Sequence, residues 1–174
     1  MNRAELARKI FEVSHLTGEF KLRSGQVSNE YFDKYRFESQ PQLLQQIALE
    51  MKSLIPQGTE VLAGLEVGGI PIATALSLVT GIPVVFVRKK AKDYGTCQLA
   101  EGISVRNKKV CIIEDVITTG GQVHLSAEDL KKEGAIVKDV LCVIDRGAES
   151  KEKMKEKGLA LQPLFTMAEL KAKN

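Results

Sequence analysis

The sequence predicts an α/β protein in which helices flank a twisted parallel sheet. Apolar runs typical of strands alternate with helical patterns from about residue 60 onward, as in βαβ units. The strand runs are apolar at nearly every position, which is expected where both faces of a sheet are covered. A length of 174 residues with 44% hydrophobic content predicts one domain, 1–174, with ample core.

The N-terminal third is predicted to contain two helices with strands between them. Apolar residues recur every three or four positions over residues 3–14, which predicts an amphipathic helix. Residues 18–37 alternate in character and predict a turn-and-strand region. Pro41 begins a second helix that extends to about residue 55.

The remaining elements follow a strand-and-helix alternation. Strands are predicted at residues 60–65, 83–87, 110–113 and 136–145. A helix is predicted at 70–79, and another helix follows the 110–113 strand and ends by residue 133. A polar stretch over 88–107 follows the second strand. Ligands bind at the carboxyl ends of the strands in such sheets. Four of these ends carry suggestive residues, at 64–69, from 88 onward, at 114–115 and at 145–147.

Composition limits the classes of function. The net charge of +3 is too small to imply nucleic-acid binding, and aromatic residues are scarce at 5%. Three cysteines and two histidines show no metal-ligand or disulfide spacing. No apolar stretch approaches the ~20 residues of a membrane helix, and acidic residues near the N-terminus do not fit a signal peptide. We therefore expect a cytoplasmic protein with no membrane partner.

Segment 110–123 carries the strongest functional signal. An apolar run leads into two adjacent carboxylates, Glu114 and Asp115, and then into the small residues 118–121. Glycine N–H groups, a helix N-terminus and the Thr118 and Thr119 hydroxyls suit a phosphate. The carboxylates cannot bind phosphate and require a sugar diol or a metal ion beside it. Phosphate and diol together describe a ribose 5-phosphate.

The same segment resembles the phosphoribosyl diphosphate (PRPP) motif of the type I phosphoribosyltransferases, and no P-loop or dinucleotide fingerprint is present. The resemblance implies that family's fold. A small hood, formed by about residues 1–40 and the C-terminal segment, would cover the acceptor site above a PRPP-binding core of about 41–150. The residues implied to bind PRPP here are Glu114, Asp115, Val116, Ile117, Thr118, Thr119, Gly120, Gly121 and Gln122.

The basic stretch that follows the second strand resembles the flexible catalytic loop of the orotate phosphoribosyltransferases within that family. The resemblance implies that Arg88, Lys89 and Lys92 bind the diphosphate, partly from a neighbouring subunit, and hence a homodimer with shared sites. Tyr94 stands where the familiar bacterial loop has histidine, and it is expected on the PRPP side. With Glu114 and Asp115, Lys92 is the expected catalytic residue.

Several positions resemble the family's acceptor site. Arg146 follows the last predicted strand, where a guanidinium would grip the orotate carboxylate. Tyr31 and Phe32 match an aromatic pair that lines the orotate site, and Arg23 falls where many members have lysine. Thr118 is expected to contact orotate as well as PRPP.

Residues 64–71 resemble the family's diphosphate loop, in which backbone groups face the leaving group. Some members have lysine just before the last glycine of that loop, whereas this chain has Gly68. A side-chain cation is therefore missing at this point of the loop.

The resemblance implies transfer of a phosphoribosyl group from PRPP to orotate, giving orotidine 5′-monophosphate and pyrophosphate in pyrimidine (UMP) biosynthesis. Mg²⁺ would be held mainly by PRPP and water, without dedicated protein ligands. A purine phosphoribosyltransferase is an alternative, which predicts a purine-stacking aromatic near the final strand. An RNA-binding regulator with a PRPP motif is another, which would need a broader basic surface.

Overall fold

The computed structural model describes residues 1–22, 24–90 and 98–172, which form a six-stranded sheet with helices on both faces and a separate hairpin. The helices are α1 Arg3–Ser14, α2 Tyr35–Glu38, α3 Pro41–Met51, α4 Gly69–Thr80, α5 Gly121–Lys132, α6 Ser150–Glu156 and α7 Met167–Ala172, with a 3-10 turn at Lys52–Leu54. The strands are β1 His15–Lys21, β2 Val27–Phe32, β3 Val61–Leu65, β4 Val84–Val87, β5 Ala100–Glu101, β6 Lys109–Ile117, β7 Ile136–Asp145 and β8 Ala160–Thr166.

The main sheet has the order β5-β4-β3-β6-β7-β8. Each neighbouring pair from β4 to β8 is parallel, and only the two-residue β5 pairs antiparallel with its neighbour. The predicted α/β class is therefore confirmed. Strand β6 lies inside the sheet between β3 and β7, so its carboxyl end is surrounded by the ends of its neighbours.

Two apolar cores lie on opposite faces of the sheet, because successive strand residues point to opposite sides. On one face, Ile112 packs in a cluster with residues of α5 such as Ala127. On the other, Cys111 and Ile113 pack with residues of α1, α3 and α4 such as Leu76. Both faces of β6 are thus covered, which explains its continuous apolar run.

The β1-β2 hairpin and α1 form an N-terminal unit that is joined to the C-terminus. Asn2 and Glu5 make a capping box that starts α1. Arg3 donates a 2.6 Å hydrogen bond to the carbonyl oxygen of Leu164 and pairs with Glu169. The hood expected from residues 1–40 and the C-terminal segment is consistent with these contacts.

The predicted elements agree with the structure in the N-terminal helix and in β7. The second helix ends at Met51 and continues only as a 3-10 turn, and the unpredicted α2 begins inside the region 18–37. Strand β6 does not end before the two carboxylates but continues through them to Ile117. The polar stretch over 88–107 contains the short strand β5. Strand β8, for which no strand was predicted, adds a further strand to the sheet after β7. Among the described residues, no helix is long and apolar enough to cross a membrane.

Candidate active site

A cavity of about 500 Å³ lies at the carboxyl ends of β3 and β6. All nine motif residues, 114–122, line it. The remaining lining residues are Lys34, Tyr35, Glu66, Val67, Lys89 and Val123. The structure therefore brings the whole predicted PRPP segment to one cavity, together with cations from two other parts of the chain.

The two carboxylates occupy different environments within this cavity. Asp115 is a buried residue whose side chain is 1% exposed, and Glu114 is half-buried. The backbone N–H of Val116 donates to Asp115 Oδ1 at 2.5 Å, and that of Asp115 donates to Glu114 Oε1 at 3.1 Å. Local backbone donors thus orient both side chains at the end of the strand.

The turn after β6 has the geometry expected for an anion cradle. Gly120 precedes α5 in the left-handed region, with φ 74°, a conformation that costs glycine little. A β-carbon at this position would approach the sulfur of Met154 at 2.8 Å. Thr118 and Thr119 are exposed beside it, and α5 begins at Gly121. Hydroxyls, free N–H groups and the positive end of the helix therefore face the same space.

The loop between β3 and α4 rests directly on β6 because two of its residues have no side chain. A β-carbon at Gly68 would overlap the Asp115 carboxylate, and one at Gly69 would overlap the carbonyl oxygen of Ile113. The close approach brings the backbone of this loop to the acidic pair. Substitution of either glycine would force the loop away from β6.

Two further charged residues, a lysine and a glutamate, lie close to Asp115 and affect its charge. Neither was predicted from the sequence. Lys34 Nζ lies 2.5 Å from Asp115 Oδ2, and Glu38 is a buried residue at 6% exposure. Burial would raise the pKa of Asp115, but the neighbouring Glu114 and the ion pair with Lys34 outweigh it and hold this pKa below its usual value. Burial and the neighbouring Asp115 raise the pKa of both Glu38 and Glu114, to about 9 for Glu38.

The predicted diphosphate-binding cations are only partly gathered in the cavity. Lys89 lines the cavity, and its backbone N–H donates to Glu66 Oε1 at 2.6 Å. Arg88 is instead paired with Glu101 of β5 at 3.1 Å and is not among the lining residues. The predicted roles of Lys92 and Tyr94 lie outside the described residues.

A second cavity, of about 170 Å³, lies between the hairpin and the C-terminal helix. Tyr31, Phe32 and Arg146, three of the predicted acceptor residues, line it together. The other lining residues are Phe11, His15, Leu22, Ser28, Glu30, Met167 and Lys171. The prediction for Arg23 lies outside the described residues, and Thr118 lines the first cavity rather than this one.

Backbone contacts join the two cavities. A β-carbon at Gly147 would overlap the carbonyl oxygen of Thr118, so these two turns touch. Asp145, which is buried, accepts hydrogen bonds from the Ser150 hydroxyl at 2.6 Å and from the Gly147 N–H at 3.0 Å. Asp145 therefore holds the turn that carries Arg146.

Several lining residues were missed because they are distant in sequence from any motif. His15 stacks on Phe11 with ring centroids 4.6 Å apart and lies 2.9 Å from Glu30, which also pairs with Lys171. Of these residues, only Glu30 adjoins the predicted Tyr31-Phe32 pair in the sequence, and that position could have suggested it. The contribution of α7, including Met167, has no sequence signal.

The donor set fits a hard cation that is held mainly by its ligand. Within residues 1–22, 24–90 and 98–172, no group of three or more His, Cys, Asp or Glu is placed to hold a metal ion. Two carboxylates, Glu114 and Asp115, nevertheless line the larger cavity. Mg²⁺ prefers phosphate oxygens and water with one or two carboxylates, so this lining suits it.

Comparisons with known proteins agree with this geometry. A phosphoribosyl transferase domain matches residues 36–163. The orotate phosphoribosyltransferase of Nocardioides sp. (strain ATCC BAA-499 / JS614) is 53% identical over 97% of this chain and 94% of that protein. That of Methanocella arvoryzae is 40% identical over 88% of this chain and 87% of its own length.

A solved structure extends the likeness to the fold. The orotate phosphoribosyltransferase of Mycobacterium tuberculosis H37Rv, in complex with PRPP, superposes with a TM-score of 0.82 at 28% identity. The match covers 97% of this chain and 98% of that chain.

Proposed function

The chain belongs to the phosphoribosyl transferase family, and we propose that its two cavities hold PRPP and orotate side by side. It transfers the 5-phosphoribosyl group of PRPP to orotate, giving orotidine 5′-monophosphate and pyrophosphate in pyrimidine biosynthesis. The observation that carries this function is the gathering of residues 114–122 around one cavity, next to a second cavity that contains Arg146.

The turn after β6 binds the 5-phosphate in this proposal. Thr118–Gln122 supply hydroxyl groups, backbone N–H groups and the N-terminus of α5. The left-handed Gly120 supports this role because it lets the chain curl around an anion without a side chain in the way. Glu114 and Asp115 contact the ribose hydroxyls at the adjacent end of the strand.

The cations at the start of the basic loop bind the diphosphate. Lys89 lines the cavity and is the best supported of them. Arg88, Lys92 and Tyr94 are proposed from resemblance to join it when the loop closes over PRPP. When bound, Mg²⁺ neutralises charge on the diphosphate and so assists its departure.

The acceptor is held in the smaller cavity. The Arg146 guanidinium suits the planar carboxylate of orotate, with which it can make two parallel hydrogen bonds. Tyr31 and Phe32 supply apolar walls, and Arg23 is proposed to join them. The contact between Gly147 and Thr118 supports a role for Thr118 at the boundary between both substrates.

Positioning and electrostatics account for the chemistry. A ring nitrogen of orotate gives up its proton to water and forms the new bond to the anomeric carbon of the ribose, and pyrophosphate leaves from that carbon with the bonding electron pair. Positive charge that develops on the ribose is stabilised by the ionised Asp115. Such a reaction proceeds without a covalent enzyme intermediate, because holding the two substrates in line removes much of the barrier.

We also propose the finer features of the assembly. The chain acts as one domain whose hood, residues 1–40 with the C-terminal segment, covers a core that begins near residue 41. A homodimer lets the basic loop of one subunit close over the PRPP of its neighbour. A cytoplasmic location fits two charged substrates that do not cross a bilayer unaided.

The test is a pyrophosphate-release assay with PRPP and Mg²⁺. Orotate should stimulate release, whereas adenine, hypoxanthine and guanine should not. Faster turnover of any purine would reassign the chain to a purine phosphoribosyltransferase. High affinity for RNA without transfer to any base would instead indicate the regulatory alternative.

A further inference from the structure

Lys34 is a lysine outside the PRPP motif whose ammonium reaches the most buried carboxylate of the site. It lies two residues after the end of β2, and its Nζ lies 2.5 Å from Asp115 Oδ2. The Lys34 side chain is 33% exposed, whereas that of Asp115 is 1% exposed. An ion pair with one partner this deeply buried is screened less by solvent than a surface pair.

The β3-α4 loop also approaches this carboxylate oxygen closely. A β-carbon at Gly68 would overlap Asp115 Oδ2, the oxygen that Lys34 contacts. The loop thus offers no side chain to this oxygen, and the cation beside it comes from the hood instead. Glycine at position 68 and lysine at position 34 are therefore complementary in space.

Both oxygens of Asp115 are anchored as a result. Oδ1 accepts from the Val116 N–H, and Oδ2 contacts Lys34. The pair fixes the side chain in place before substrate arrives, which is the kind of preorganisation that favours binding.

The charges around Asp115 come from three elements. Lys34 precedes α2, Glu38 ends α2, and Glu114 lies on β6. The Lys34 ammonium also lies over the aromatic ring of Tyr35, with Nζ 5.2 Å from the ring centroid. Lys34, Glu114 and Glu38 all help to hold the pKa of Asp115 low, and Lys34 is the cation of the three.

Lys34 also belongs to a segment that lines both cavities. Tyr31 and Phe32 line the acceptor cavity, and Lys34 and Tyr35 line the PRPP cavity. We propose that Lys34 is a positioning residue, which fixes Asp115 for ribose binding and ties the acceptor wall to the PRPP motif. This inference rests on the proposed role of Asp115 at the ribose.

The primary test is a double-mutant cycle of PRPP binding by calorimetry. Lys34→Met removes the charge, Lys34→Arg retains it, and Asp115→Asn removes the carboxylate. We expect Lys34→Met to weaken PRPP binding about tenfold or more, Lys34→Arg to retain most of the affinity, and Lys34→Met to cause no further loss in Asp115→Asn. The matched control is Lys108→Met, whose lysine pairs with Glu60 at 2.9 Å, far from the site at the start of β6.

A pH profile separates positioning from a general effect on folding. Without Lys34, the pKa of Asp115 should rise, so the acidic limb of PRPP binding should move upward by about one pH unit or more. The control variant should leave this limb in place. If Lys34→Met fails to fold, the cycle and the profile are measured on Lys34→Gln, which retains a hydrogen-bond donor without the charge.

The outcomes distinguish this inference from the proposed function. If the wild type releases pyrophosphate with orotate but Lys34→Met binds PRPP within twofold of wild type, the inference alone is wrong. An equal loss from Lys34→Met in wild type and in Asp115→Asn would also overturn it. A wild type that neither binds PRPP nor uses orotate overturns the proposed function and the inference together.

Discussion

The backbone N–H of Arg146 donates a 2.8 Å hydrogen bond to the carbonyl oxygen of Ile117. This bond joins the end of β7 to the end of the PRPP strand. Arg146, which lines the smaller cavity, is therefore tied through its backbone to the end of β6, and the turn that follows β6 lines the larger cavity. The bond thus fixes the spacing between Arg146 and the turn that lines the larger cavity.

Arg146→Ala should weaken orotate binding and leave PRPP binding nearly unchanged. Loss of a charge-assisted bidentate contact should cost about 2–4 kcal/mol. Separate titrations of the two ligands measure this difference. Arg106→Ala, which removes an exposed arginine from the loop before β6, is the control and should affect neither ligand. Unchanged orotate affinity in Arg146→Ala would remove this residue from the acceptor site.

Gly120→Ala should cost both stability and PRPP affinity. The left-handed backbone penalises any side chain by about 1–2 kcal/mol, and the new β-carbon would also crowd the Met154 sulfur. Gly81→Ala is the matched control, because Gly81 has φ 75° and a β-carbon there would meet no atom of the described residues within 4 Å. Thermal unfolding should show a larger loss for Gly120→Ala, and calorimetry should show weaker PRPP binding for that variant alone. Equal melting temperatures for the two variants would contradict the crowding.

Glu38→Gln should increase stability at alkaline pH. The pKa of Glu38 is raised from 4.5 to about 9 by burial first and by the nearby Asp115 second, with Lys34 opposing and Glu114 adding to the effect. A raised acid holds its proton in the folded state, so its contribution to stability is lost as pH increases from about 5 toward 9. The neutral glutamine has no proton to lose and should remove this loss.

Denaturant unfolding at pH 5 and pH 8 measures the effect of Glu38→Gln. The variant should exceed wild type in free energy of unfolding at pH 8, and the two should converge near pH 5. Glu60→Gln serves as the control: a backbone hydrogen bond from Lys109 lowers the pKa of Glu60, so this substitution should change stability nearly equally at pH 5 and pH 8. A pH-independent difference between Glu38→Gln and wild type would show that Glu38 is ionised in the folded state.

The sequence predicted the parts of the fold that follow from local pattern. The helix Arg3–Ser14 and the strand Ile136–Asp145 have the predicted bounds, because their apolar spacing is regular. Strand β8 escaped prediction since Pro163 interrupts its pattern, and proline is tolerated there only because β8 is an edge strand. Its edge position is a property of the sheet and not of the segment.

The candidate site also contains residues that local sequence predicts and residues that only the tertiary structure reveals. The PRPP motif is continuous in sequence, so the nine residues of 114–122 could be selected together. The extension of β6 through Asp115 could not be predicted, because a buried carboxylate in a strand needs a counter-ion that sequence does not reveal. That partner, Lys34, lies 81 positions earlier in the chain. Tertiary ion pairs of this kind leave no periodic signal.

The proposed dimer makes a quantitative prediction for mixed subunits. Lys92→Ala should remove a leaving-group contact, and Asp115→Asn a ribose contact, so each variant alone should be nearly inactive. If the loop acts across the interface, a hybrid dimer has one doubly damaged site and one intact site. Half of the dimers are hybrids after random exchange of equal amounts, so about a quarter of wild-type activity should return.

Subunit exchange must be verified for this count to hold, which a tag on one variant allows by pull-down of the other. Lys90→Ala, from the same basic stretch, paired with Asp115→Asn tests whether any change of charge in the loop gives the same recovery. A monomer, or a loop that acts on its own subunit, restores no activity, because every site then carries an inactivating change. With exchange confirmed, a mixture that stays inactive would place Lys92 in the site of its own chain.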